Sequence, residues 1–133
     1  EILHLKQYKN LIFIKYFNQL KDELGPHAVQ ILRELANSIN NENYLTTIIL
    51  SATAIDVIKN ENSTPIQNLS GIEKNTLFSS RDAIWLRQRR NEIIHHEGVS
   101  DSLLGSQSDY NELSFDANKS IKILSDILYS IIK

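Results

Sequence analysis

The sequence predicts an all-α fold, an antiparallel helical bundle of about five helices, with residues 1–133 forming one domain. Three observations lead there. Apolar residues recur at three- and four-residue spacing along most of the chain. The 133 residues include only 4 glycines and 2 prolines, too few for the tight turns of an all-β domain. Polar turn signals separate the periodic stretches at lengths that suit helix–helix connections. A chain of this size buries a sizeable core, and 41% hydrophobic with 23% charged residues excludes wholesale disorder.

The first helix is expected over residues 1–24. Leu5, Tyr8, Ile12 and Tyr16 form one row, and Phe13, Phe17, Leu20 and Leu24 another. LIFIKYF alone would pass for a strand, but the length of the periodic stretch decides for a helix. Gly25 stops it and Pro26 suits the first position of the next. The second helix runs to about Asn40, with Ala28, Leu32, Leu35, Ala36 and Ile39 inward. After the polar turn from Asn40 to Asn43, a third helix spans Tyr44 to about Lys59, with Leu45, Ile48, Ile49, Ala52 and Ile55 as its stripe.

Residues 60–78, rich in Asn, Ser and Thr, read as a long connection with room for a short helical turn. Ser79-Ser80-Arg81-Asp82 resembles a capping box with Ser79 as N-cap. The fourth helix follows to about Glu97 and stops at Gly98; residues 98–113 read as loop. The last helix, roughly 115–133, turns Ile121, Leu124, Ile127, Leu128, Ile131 and Ile132 to one face.

Composition narrows the chemistry. The absence of cysteine removes disulfides, thiolate catalysis and Cys-ligated metal sites. A net charge of -2 excludes a surface coated with positive charge for long duplex DNA. No segment approaches the ~20 apolar residues that span a bilayer, so no membrane partner is expected and a cytoplasmic domain is the default. The lack of Met suggests a domain cut from a longer protein, or a processed chain. No Walker loop, HExxH or nucleophile elbow is present. Neighbouring His95 and His96 point ~100° apart and make a poor metal pair. No metal and no cofactor are expected.

The informative positions are charges that interrupt apolar stripes. On the fourth helix Ala83, Leu86, Ile93 and Ile94 define an inward stripe, and Arg90 falls in its middle. On the third helix Asp56 falls on the stripe of Leu45, Ile49 and Ala52. A lone buried charge costs several kcal/mol, so Arg90 and Asp56 are expected to face each other. Such a pair either fixes the bundle's register or holds the Arg90 fork toward a phosphate. Asn91 and His95, one turn apart, flank the same edge, and Arg87 continues it. Arg81, Arg89 and His96 add local positive charge.

Arg, His and an amide suffice for RNA cleavage by its own 2′-OH. A His near neutral pKa moves a proton, and a guanidinium stabilises the charge gathering on phosphorus. One such set has one His where acid and base need two groups, and a two-fold dimer supplies the second. Trp85 and Ile84 lie off the inward stripe, where they suit either such an interface or packing against a neighbouring helix.

Arg90-Asn91-Glu92-Ile93-Ile94-His95 resembles the R-N/D/H-x-x-x-H signature of the HEPN superfamily, the higher eukaryotes and prokaryotes nucleotide-binding domains. Tyr44 to Ile58 is similar to the family's earlier helix, with Asp56 where an acid is expected. The resemblance covers Tyr44 to Gly98 by motif and the whole chain by helix layout. It implies a homodimer through the fourth helix and a metal-independent endoribonuclease acting on single-stranded RNA. It also implies a setting in toxin–antitoxin or anti-phage defence, beside an antitoxin or a further effector or sensor domain. Arg90 and His95 would be the catalytic pair, Asn91 the supporting polar residue and Asp56 the orienting acid. Arg87, Arg89 and His96 are the candidate RNA contacts. Some members are inactive scaffolds. The competing reading is a non-catalytic interaction module whose Arg90–Asp56 pair is structural, and a weaker third is a nucleotide-binding sensor.

Overall fold

The structure, a computed structural model, describes residues 2–95 and 107–132, with side chains placed over 10–95 and 109–132. All regular structure among these residues is helical. Seven helices follow in order: α1 (Ile2–Leu20), α2 (Pro26–Asn40), α3 (Tyr44–Glu61), α4 (Thr64–Gln67), α5 (Gly71–Phe78), α6 (Arg81–His95) and α7 (Gln107–Ile132). No helix among the described residues is long and apolar enough to cross a membrane.

Helix α3 is the hub, packing against α2, α7, α6 and α5, while α1 lies mainly on α7. Its buried face is Thr47, Ile48, Ser51, Ala52, Ala54, Ile55 and Ile58. Small residues at Ser51, Ala52 and Ala54 let neighbouring helices approach it closely. Phe13, Leu20, Leu32, Leu35, Leu86, Leu124 and Leu128 close round it. At the turn between α2 and α3, buried Ser38 donates to the Asn43 carbonyl at 3.0 Å and shares a 2.9 Å bond with Thr47 Oγ1.

The start of α2 is finished by a residue from the end of α3. Its first-turn N–H groups have no partner within the helix. The Glu61 carboxylate accepts from the N–H of His27 at 3.1 Å and of Ala28 at 2.8 Å, with the His27 ring Nδ1 at 2.8 Å. Gly25 leaves room for that carboxylate: a Cβ there would lie 2.6 Å from Glu61 Oε2 and push it aside. Burial alone would raise the Glu61 pKa, but these hydrogen bonds outweigh it and hold the group below the ordinary carboxylate range.

Four expectations are corrected. Helix α1 ends at Leu20, before residue 24, because its last turn tightens through a bond from Glu23 N–H to the Leu20 carbonyl at 2.9 Å ahead of Gly25-Pro26. The connection over 60–78 contains two helices, which brings the total to seven. The capping box is at Ser70 and Glu73, where Glu73 N–H donates to Ser70 Oγ at 3.1 Å and Ser70 N–H to Glu73 Oε1 at 2.8 Å. Ser79 instead follows the end of α5, and Ser80 Oγ accepts from Ala83 N–H at 3.1 Å as α6 begins. Helix α7 begins at Gln107, eight residues before 115, because Asp109 in its first turn and the inward Leu113 and Ala117 extend the row. The expected stop at Gly98 lies outside the described residues.

Candidate functional site

Arg90 and Asp56 do meet, with Arg90 Nη1 donating to Asp56 Oδ2 at 2.9 Å. Asp56 is shared: Arg87 Nη2 approaches its Oδ1 at 3.4 Å and the Phe78 carbonyl at 3.4 Å. Arg90 Nε also points at Asn91 Oδ1, 3.4 Å away. Two guanidinium groups therefore converge on one carboxylate, leaving one net positive charge where α6 meets α3.

This cluster is at the edge of the core, not in it. The side chains of Arg90, Asp56 and Arg87 are 17%, 32% and 36% exposed. Three of the four residues of the expected inward stripe on α6, Ala83, Leu86 and Ile93, are buried, but Arg90 does not fall in its middle. Its buried residues are Ala83, Leu86, Arg89 and Ile93, while Ile94 is exposed. The row Leu45, Ile49, Ala52, Asp56 likewise runs along the shoulder of α3, with Leu45 exposed. Both charges thus have a wet side.

Arg89 belongs elsewhere. Its Nε donates to Asp116 Oδ2 of α7 at 2.8 Å, with side chains 5% and 11% exposed. It was expected as an RNA contact on the surface; the structure places its charge inside the bundle. Burial pushes the Asp116 carboxyl above its ordinary range, and Arg89 draws it only part of the way back. Beside this pair, Lys119 Nζ lies 4.0 Å from the centre of the Trp85 ring, a cation–π contact within the chain. Trp85 is half-buried and packs against the core, while Ile84 is exposed.

His95 is the last residue of α6 and is exposed; a basic side chain there suits the negative end of the helix dipole. Asn91, one turn earlier, is half-buried. His95 is five positions after Arg90, or ~140° round the helix, so the structure puts them on one helix but different sides of it. His96 lies outside the described residues. Among the described residues, no three His, Asp or Glu side chains form a group able to hold a metal ion.

Asp116, the partner of Arg89, is the buried charge that the sequence reading missed. With α7 expected to start near 115, Asp116 falls in a first turn, where an acid is ordinary. The usable signal was its position between Leu113 and Ser120 on the inward row, an interruption of the same kind as Asp56.

Fold and cluster together define an all-helical domain with a two-arginine, one-carboxylate site on the seam of α3 and α6. No family model, curated protein or solved structure matches the chain.

Proposed function

We propose that the chain is a HEPN-like, metal-independent endoribonuclease domain that cuts single-stranded RNA. The observation that carries the reading is the Arg90–Asp56 contact at 2.9 Å with Arg87 beside it, on the helix that also bears Asn91 and exposed His95. In this reading the 2′-OH attacks the adjacent phosphorus, its proton leaves to a His95 imidazole, and the 5′-oxygen departs with a proton from a second His95. The products are a 2′,3′-cyclic phosphate and a 5′-OH. Arg90, oriented by Asp56, faces the phosphorane charge; Asn91 orients His95 or contacts the phosphate; Arg87 and His96 hold neighbouring phosphates.

The second His95 comes from a second copy of the chain. Exposed Ile84 and Ile94 on α6 supply apolar surface for a two-fold contact along this helix. A cytoplasmic toxin–antitoxin or anti-phage setting, with an antitoxin or a further effector or sensor domain as partner, belongs to the same proposal.

The half-buried Arg90–Asp56 pair also suits the second reading, a non-catalytic interaction module in which the pair fixes register. Cleavage of a mixed RNA pool in EDTA separates the two. The nuclease reading expects cleavage by the wild type, lost in Arg90→Ala and in His95→Ala with the fold intact. An RNA pool left whole by the wild-type dimer, with and without its partner domains, rejects it.

A further inference from the structure

Helix α6 carries the candidate site, yet it touches α7 far less extensively than α3 does. In that thin contact sits a charge pair, Arg89 and Asp116, joined at 2.8 Å and nearly dry. Removing two charges from water costs solvation that their attraction recovers only with good geometry, and an apolar pair of similar volume is often as stable. Stability alone is a poor reason for this pair. Its geometry offers a better one.

Consecutive residues of a helix point ~100° apart. At one level of α6, Arg89 is tied to Asp116 of α7 and Arg90 to Asp56 of α3. A helix tied to two different neighbours at one level has little freedom to roll about its axis. A roll of ~20° carries a side-chain tip ~6 Å from the axis through about 2 Å. Misplacement by ~1 Å is enough to cost about a hundredfold in rate.

We infer that Asp116 is a positioning residue: through Arg89 it sets the roll of α6 and so the directions in which Arg90, Asn91 and His95 face. The catalytic consequence rests on the nuclease reading; the positioning itself does not. Neither partner of this buried pair takes part in the proposed chemistry.

The test replaces the pair with apolar residues, Arg89→Met with Asp116→Leu, in the full chain. Urea unfolding, the kcat and KM of RNA cleavage, and the nitrogen-15 resonances of the His95 ring and the Asn91 side-chain amide are measured. The expected result is a fold with the wild-type urea midpoint, kcat lower by about tenfold or more, KM little changed, and shifted His95 and Asn91 resonances. Unshifted resonances, or shifted ones with wild-type kcat, overturn the inference. Should the wild type cleave no RNA, the nuclease reading fails by itself, and the resonances still decide the positioning. Should the double variant not fold, Asp116→Asn, which keeps an acceptor of the same shape, is read by the same resonances and the same criterion.

Discussion

Arg89 and Arg90 are neighbours in sequence and face different helices, Arg89 donating to Asp116 of α7 and Arg90 to Asp56 of α3. The first pair is dry and the second is partly wet, so the two arginines answer to different physics.

Truncating each arginine should show the difference. Arg89→Ala leaves Asp116 buried without its partner, a loss of about 3–5 kcal/mol. Arg90→Ala leaves Asp56 partly hydrated and still beside Arg87, so its cost should be about 1 kcal/mol or less. Urea unfolding of the two variants gives the order directly, and an Arg90→Ala cost equal to or above that of Arg89→Ala contradicts the placement of the two charges.

Acid titration of stability should separate Glu61 from Asp116. The folded-state pKa of Glu61 is depressed, so its stabilisation is present above the unfolded carboxylate value and lost as pH falls through the folded value. The folded-state pKa of Asp116 is raised, so the folded protein binds that proton more tightly. Its contribution is most favourable below the unfolded value and declines as pH rises through the folded one. Glu61→Gln should therefore flatten the loss of stability on acidification, whereas Asp116→Asn should steepen it. Chemical denaturation at a series of acid pH values tests both signs.

Gly25 and Glu61 should prove coupled. Gly25→Ala forces the Glu61 carboxylate away from the α2 N–H groups, and Ala is itself a poor N-cap, so a loss of about 1–2 kcal/mol is expected. In a Glu61→Ala background only the N-cap preference remains, and the cost of Gly25→Ala should shrink. Equal costs in the two backgrounds, measured as a double-mutant cycle, contradict the close approach.

Much of this was legible in the residues. Gly25-Pro26 and the polar turn from Asn40 placed α2 at its observed ends, and the charge interruptions at Asp56 and Arg90 paired correctly across 34 residues of sequence. What was not legible has physical causes. Ile93 and Ile94 are adjacent and both apolar, which leaves the centre of the α6 stripe open by one residue, about 100°. That is enough to place Arg90 inside and Arg89 outside, when Arg89 is buried and Arg90 lies at the edge. The Asn, Ser and Thr content of residues 60–78 read as a connection, which hid the Ser70–Glu73 capping box that starts α5. The Glu61 cap on α2 is a tertiary contact between residues over 30 positions apart, beyond any local pattern.

The central claim, that Arg90 and His95 cut RNA by 2′-OH attack, is tested most directly by the ends of the RNA. Wild-type protein and His95→Ala are incubated with single-stranded RNA in EDTA, and new termini are identified by mass spectrometry. The account expects 2′,3′-cyclic phosphate and 5′-OH termini from the wild type and none from His95→Ala. The same termini at the same rate from His95→Ala, or 3′-OH and 5′-phosphate termini from the wild type, would contradict it.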